Sequence, residues 1–442
     1  MQDVRDDLDD EVYLDHNATT PVAPEVVEAM LPFLHGGHGN PSCGHRLGRE
    51  ARAAVEDARR TLSQFFGCAR DEVVFTSGGT ESNNLAIKGA ALARMDRGRH
   101  VVIGAAEHPS VADAARWLTR FGFEVSEAPC TPEGQVTPEA VRSVLRPDTV
   151  LVSVMHAQNV VGTINRIDEL AEALGGHPAH LHTDAAQSVG KIPTAFPFLG
   201  ADLMTIAAHK LYGPKGVGAL IVRRRTPLEP LLHGAGHEGG RRCGTENTAG
   251  IVGLAAAVRL AQARMAEAGE RMVALRDALH LRLATALRGV LLNGHPLDRL
   301  PNTLNLSFLG TTGRAIADRV PSLLLATGPA CHDRADALPP ALRALGIDAA
   351  RGAATLRLSL GRDNTWDEID RAADRLVEAV AALRRAAGVD EAALPESDLP
   401  RCPRCEVRPL RLELTGLAPA AVCQEHPACR YEAYLAAPAG VA

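Results

Sequence analysis

Between Glu72 and Val222 short apolar runs alternate with amphipathic stretches, and many of the runs end on polar or glycine-bearing turns. Extended segments are expected at 72–76, 100–104, 124–128 and 149–154, in the run ending on Asp184, and at 202–206 and 217–222. Helical periodicity fills 24–34, 47–66, the stretch from the Ser77-Gly78-Gly79 turn to about Met95, the stretch opened by Pro109 and Ser110, and 137–145. Thr20 and Pro21 read as an N-cap and N1 pair. Such alternation predicts an α/β fold with a mainly parallel, seven-stranded sheet covered by helices. Beyond a polar, glycine-rich loop at 231–247 the pattern changes. A pair of helices is expected over 249–287, then a strand 301–308, helices 313–324 and 339–345, a strand over RGAATLRLSL that carries Arg357, and a closing helix 366–387. That is an α+β pattern and a second, smaller domain. The expected division is an N-terminal segment 1–16, a large domain 17–265, a small domain 266–390, a linker 391–401 and a cysteine-bearing tail 402–435.

Composition narrows the classes. The chain has 442 residues, 46% hydrophobic and 3% aromatic, so its core is built of aliphatic side chains and alanine. Lys and Arg number 47 against 53 Asp and Glu, a net charge of −6, which excludes a chain-wide polyanion-binding surface. The start, MQDVRDDLDDEV, has neither the basic nor the apolar region of a secretion signal. No segment reads as the roughly 18 apolar residues of a membrane span, so a cytoplasmic protein without membrane contact is expected. Cys43, Cys68, Cys130, Cys243 and Cys331 are scattered, whereas Cys402, Cys405, Cys423 and Cys429 crowd the tail. This fits reduced thiols and a metal site better than disulfides.

Residues 180–218 concentrate the chemistry. One strand ends on Asp184, Gln187 follows, and the next strand leads into His209-Lys210 and a Gly-Pro-Lys-Gly turn. Strand exits in an open α/β sheet share a crevice, so a carboxylate and an amine there can face one bound molecule. Pyridoxal phosphate needs that pair: the amine joins the cofactor aldehyde as an imine, and the carboxylate keeps the ring nitrogen protonated. Read singly, Asp184 is equally a helix cap and Lys210 a solvated loop lysine. Gly79 and Thr80, at a strand-to-helix turn, suit a phosphate, because backbone N–H groups and the positive end of the helix meet there. His108, His156 and Asn159 lie at further strand exits, where His108 can stack on a cofactor ring and move protons. The 231–247 loop carries Arg241, Arg242, Thr245 and Asn247, more polar groups than an idle connector needs. Cys331, in ATGPACH, sits beside His332 on a connector and suits a reactive thiolate, although an inert small hydrophobe is the commoner fate of a free cysteine.

The segments YLDHNATTP, FTSGGTESNN, EHPS, HTDAAQ, AHKLYGPKG, GRRCGTEN, GPACH and LRLSLGR together resemble the cysteine desulfurases, pyridoxal phosphate enzymes of fold type I, over about residues 11–390. The resemblance implies that Lys210 forms the imine, Asp184 pairs with the ring nitrogen, Gln187 and Asn159 contact the phenolic oxygen, and His108 stacks on the ring. Thr80 and His209, beside Gly79, then hold the phosphate, joined by Thr245 from the neighbouring subunit of a homodimer. Arg357 clamps the carboxylate of L-cysteine, with Asn159 close by. Cys331 takes the substrate sulfur as a persulfide for an acceptor protein, in iron-sulfur cluster assembly, tRNA thiolation or DNA sulfur modification. Five positions depart from the family's usual residues: Ala207 and Pro329 each replace a serine, and Val160, His237 and Cys243 replace glutamate, glutamine and serine. Competing readings are a selenocysteine lyase or aminotransferase of the same fold, and a non-catalytic binding protein with a vestigial cofactor site.

The tail reads C-x2-C, seventeen residues, then C-x5-C. Two thiolate pairs suit tetrahedral Zn2+, and a tail with so little core needs such a staple. His426 is an alternative ligand. CPRC and CQEHPACRY resemble the zinc ribbons of bacterial type I topoisomerases, which implies a four-cysteine site and, by analogy alone, nucleic-acid contact through the tail only.

Overall fold

The strands follow the apolar runs. After the two-residue β1 Val12–Tyr13 come β2 Val73–Thr76, β3 His100–Gly104, β4 Glu124–Ala128, β5 Thr149–Ser153, β6 His180–Asp184, β7 Leu203–Ala207 and β8 Gly218–Val222. The computed structural model describes residues 10–327, 338–402, 404–414, 419–424, 429 and 432–434. Strands β2 to β8 form one sheet in the order β2-β8-β7-β6-β5-β3-β4, parallel except for β8, which runs antiparallel to both neighbours. Helices α1 Pro24–His35, α2 Arg46–Phe66, α3 Gly79–Asn84, α4 Ala90–Leu92, α5 Pro109–Leu118, α6 Pro138–Val144, α7 Ile167–Ala173 and α8 Phe196–Leu199 complete this part, α3 passing into α4 through a π-turn, Leu85–Gly89. Alternate strand residues feed opposite faces. Val102, Val152 and Met204 join the core with α2, whereas Val101, Leu151 and Leu203 join the core with α5. Burial on both faces explains why β2, β3, β5, β7 and β8 are mainly apolar, whereas the edge strand β4 is largely polar and only its last residue is buried.

The chain enters α1 at Ala23 and Pro24, not at Thr20 and Pro21. Thr20 is engaged elsewhere: its hydroxyl donates to His209 O at 3.1 Å and accepts from Tyr212 N at 2.8 Å, tying the N-terminal strand exit to the turn that carries Lys210.

Residues 248–286 are one helix of 39 residues, α9 Thr248–Ala286, not the expected pair, and it continues across the expected boundary at 265. Its first part joins the large core through Ile251, Leu254 and Val258, and its last part joins a second core through Leu275, Leu279 and Leu283. Gly269, between them, costs about 1 kcal/mol in a helix, which packing at both ends overrides. Contrary to the sequence expectation, α9 holds an 18-residue window of mean hydropathy 1.2, long and apolar enough by composition to cross a membrane, of which 44% is buried inside the protein.

The second core is completed by β9 Val290–Leu292, β10 Thr303–Phe308, β11 Leu323–Leu324 and β12 Thr355–Ser359, with α10 Gly313–Arg319 and α13 Trp366–Ala386. Between β11 and β12 lie α11 Pro340–Ala344 and α12 Ala349–Ala353, and Leu342 of α11 packs in a small separate cluster with Val161, Leu345 and Ile347. Strands β12-β10-β9 make an antiparallel sheet. The helix expected over 313–324 ends at Arg319 because Pro321 bars its continuation, and β11 then pairs in parallel with β1. Arg351–Ala353 belong to α12, so the strand carrying Arg357 starts only at Thr355.

The expected linker is docked along β9. Asp398 N donates to Val290 O at 2.9 Å and Gly289 N to Pro395 O at 2.8 Å. Beyond it, β13 Leu410–Leu414, β14 Pro419–Cys423 and β15 Glu432–Tyr434 form an antiparallel sheet, and Cys402, Leu410, Ala421 and Cys423 pack on Ala278 and Leu281 of α9.

Candidate active site

The strand exits converge. Asp184 ends β6, Lys210 follows β7 in the short turn Ala208–Lys210, His108 caps α5 after β3, and Asn159 follows β5. All four open on one cavity of about 450 Å³, which Gly79, Thr80, Gln187 and His209 also line and which Arg357 closes from the antiparallel sheet. Every described residue expected to hold cofactor or substrate is therefore here except Thr245. Thr245 is exposed and borders a separate hollow with Glu238, Arg242 and Asn247. His156 is withdrawn into the core, its Nδ1 2.9 Å from Ser188 Oγ.

Asp184 is 5% exposed, and both of its oxygens are fixed. Oδ2 accepts from Asn83 Nδ2 at 2.7 Å and Oδ1 from Ala186 N at 2.9 Å. Asn83 Nδ2 also donates to Ser110 Oγ at 2.8 Å, and Ser110 Oγ lies 2.7 Å from His108 Nδ1. One network thus orients the carboxylate and the imidazole together. Burial pulls the His108 pKa below its ordinary value; Asp184 opposes this and Lys210 adds to it. Lys210 Nζ donates to Asn17 O at 2.6 Å and Ala18 O at 2.8 Å, so the DHNATTP segment forms the floor under the amine.

At one end of the cavity Gly78, with φ 147°, makes the turn out of β2, and the helix starts at Gly79. A Cβ on Gly79 would lie 3.3 Å from that of Ala207, and one on Gly218 would lie 2.5 Å from Ile206 O and 2.8 Å from Gly78 Cα. Only glycine lets this turn lie against β7 and β8, with backbone N–H groups at the cavity's edge. Burial, with the neighbouring lysines, pushes His209 down to about 4, so it meets an anion as a neutral donor.

At the other end Arg357 donates from Nη2 to Asp15 Oδ1 at 2.6 Å and from Nη1 to Asn159 O at 3.1 Å. Its buried Nε has no partner among the described residues, an unused donor of the kind a bound carboxylate takes up. Amine, buried carboxylate, imidazole, glycine turn and idle guanidinium nitrogen fit pyridoxal phosphate and an amino acid together.

Residues 12–372 match the Aminotransferase class-V family. This chain belongs to that family. It is 42% identical to a Cysteine desulfurase IscS of Dictyoglomus turgidum over 376 residues, 85% of this chain and 95% of that protein. Among solved structures it is similar to a NifS-like protein, with 33% identity and a TM-score of 0.79, covering 84% of this chain and 100% of that one. It is also similar to SspA in complex with cysteine, with 32% identity and a TM-score of 0.69 over 79% of this chain and 98% of that one. The class-V match stops before the tail, so the four-cysteine module lies outside the family's common body.

Cys331, with Pro329 and His332, lies outside the described residues. The chain enters and leaves that segment at the cavity: Ala326 and Arg357 exchange backbone hydrogen bonds of 3.3 and 2.9 Å, and Pro339 and Pro340 line the wall. In the tail, Cys402 and Cys429 Sγ lie 3.7 Å apart, Cys405 and Cys423 Sγ 3.6 Å apart, and all four within 4.8 Å of one another. Zinc–sulfur bonds of about 2.3 Å set tetrahedron edges near 3.8 Å, so the set fits the ion. His426 lies outside the described residues.

Sequence reasoning passed over Asn83, Ser110 and Asp15. The first two stand in the motifs FTSGGTESNN and EHPS, and Asn83, four positions after Gly79 on a helix, is where a residue on the same face as the turn belongs. Asp15 stands in YLDHNATTP, but nothing local pairs it with Arg357, 342 residues away.

Proposed function

We propose that this protein is a pyridoxal phosphate-dependent cysteine desulfurase that converts L-cysteine to L-alanine and passes the sulfur, as a persulfide on Cys331, to an acceptor protein. The observation that carries the reading is the meeting of the Lys210 amine, the Asp184 carboxylate and the Arg357 guanidinium on one cavity. The relatives named cysteine desulfurase, covered nearly end to end, support the same activity.

Bound pyridoxal phosphate supplies an aldehyde carbon to which amines add and a ring that accepts electrons from the substrate's α-carbon. Asp184 would hold the proton on the ring nitrogen, and Asn83 and Ala186 keep its carboxylate aimed. Gly79, Thr80 and His209 would hold the phosphate. Ala207 offers that phosphate no hydroxyl. Arg357 binds the cysteine carboxylate through Nε and one Nη, while Asp15 keeps the guanidinium plane fixed. Lys210 takes the α-proton, and His108, neutral and tethered to Ser110, moves protons to and from the substrate. The Cys331 thiolate attacks the substrate sulfur and the sulfur–sulfur bond forms as the carbon–sulfur bond breaks, its electrons passing to the β-carbon. His108 protonates that carbon and Lys210 returns the α-proton, which leaves alanine and a persulfide on Cys331.

Two further features belong to the reading. The protein acts as a homodimer, with Thr245 of one subunit completing the phosphate site of the other; its exposure on a separate hollow supports this. The tail binds Zn2+ through Cys402, Cys405, Cys423 and Cys429, supported by their mutual distances.

The decisive experiment is Cys331→Ser. It keeps the yellow coenzyme band and loses sulfur release from cysteine. Sulfide released at the parent rate by this variant would show that the persulfide step is wrong.

A further inference from the structure

Lys191 is a buried amine that the reaction above does not use. It lies four residues past Gln187, on the turn after β6, and is 8% exposed. Its Nζ donates to two atoms of one residue, Gln187 O and Gln187 Oε1, each at 3.1 Å, and neither acceptor carries a charge. Gly190, with φ +77°, brings the chain in: a Cβ there would lie 3.2 Å from the Cβ atoms of Ala261 and Leu211. An ammonium placed among neutral acceptors in a core is costly. Burial, with the Lys210 and Arg357 charges nearby, pulls Lys191 down to about 7.

The amide it touches supplies the reason. A glutamine amide turned over exchanges donor for acceptor at almost no steric cost. In either protonation state Nζ spends its N–H groups on Gln187 O and Oε1, so it favours the orientation with Oε1 toward Lys191 and the NH2 group away. Nε2 indeed donates to Asn17 O at 2.9 Å, the same carbonyl that receives Lys210 Nζ. An NH2 group has a second hydrogen, and Gln187 lines the cavity.

We propose that Lys191 is a positioning residue that locks the Gln187 amide with its N–H toward the cavity, so that the phenolic oxygen of pyridoxal phosphate meets a donor and never a carbonyl. The inference rests on the coenzyme reading above. A donor on the phenolic oxygen draws electron density from the atom that shares the imine proton, so the imine gives up that proton at lower pH. Without Lys191 only Asn17 O orients the amide, so the donor is held less firmly and part of that help is lost.

The test reads the pH midpoint of the visible absorbance change of the full-length protein loaded with pyridoxal phosphate, without substrate. Lys191→Met is expected to raise the midpoint by roughly half a unit to one unit. Gln187→Ala raises it at least as far, and the double variant matches Gln187→Ala, because Lys191 acts through that amide alone. Lys191→Arg, which still only donates, keeps the parent's midpoint. A midpoint unchanged in Lys191→Met, or shifts that add in the double variant, overturn the proposal. Should Lys191→Met not fold, Lys191→Gln makes the same comparison and an unshifted midpoint again overturns it. A parent protein with no visible band in the presence of pyridoxal phosphate fails the coenzyme reading instead.

Discussion

At the sheet edge, Asp184, Asn83 and Ser110 hold one another in hydrogen bonds while their backbones belong to elements packed into a large core. In the tail, Cys402, Cys405, Cys423 and Cys429 face one another with, among the described residues, Leu399, Leu410, Ala421, Trp366 and one side of α9 behind them. The first site keeps its shape because the fold has already fixed these three groups, and its ligand adds chemistry to that frame. The second has too small an apolar core to order four thiols by packing alone, so there a bound ion would supply stability. Coenzyme loss and metal loss should therefore have different consequences.

The largest effect tests the sheet side. Lys210→Ala should lower alanine formation by roughly 10²–10⁴-fold or more and remove the visible coenzyme band, while the fold persists, since Asn17 O keeps the Gln187 amide as a donor. Next comes the tail. A strong chelator, or Cys423→Ser, should unfold the module and open it to proteolysis beyond the docked 391–401 segment, because structural zinc supplies roughly 10–16 kcal/mol in small domains. Alanine production and the coenzyme band should survive. A band that vanishes with the metal would break the contrast between the two regions.

A third effect, of moderate size, tests the cavity's far wall. Arg357→Lys keeps the charge but loses the planar fork, and should raise the KM for cysteine roughly 10- to 100-fold, the worth of one charged hydrogen bond. Asp15→Asn should move KM the same way by less, because Asn159 O still holds Nη1.

The smallest effect concerns pH. His156 and His182 are held near 4 by burial, against an unfolded value near 6.5. Between these values the unfolded chain binds more protons than the folded one. Stability from this source is thus complete above about pH 6.5 and declines as pH falls toward 4. Unfolding temperature should drop over that window in the parent, and less steeply in His182→Gln.

Read from sequence alone, the strands of the seven-stranded sheet were placed to within a residue or two, because most of them are buried apolar runs between polar turns, whereas the strand carrying Arg357 was started four residues early. The residues that face the coenzyme cavity were legible for a related reason: in an open α/β sheet the strand exits share one edge, so Asp184, Lys210, His108 and Asn159 were bound to meet once the strands were known. What the sequence could not settle was anything that depends on a distant partner. Thr20 looked like a helix cap until His209 and Tyr212 claimed its hydroxyl. The helix α9 looked like two, because nothing local shows that both ends will be held by separate cores. Asp15 with Arg357, Asn83 with Asp184 and the inward turn of Lys191 were likewise decided by tertiary contact. Periodicity and turn chemistry act over a few residues and are written in order along the chain, whereas a hydrogen bond across 342 positions exists only after the fold has brought its ends together.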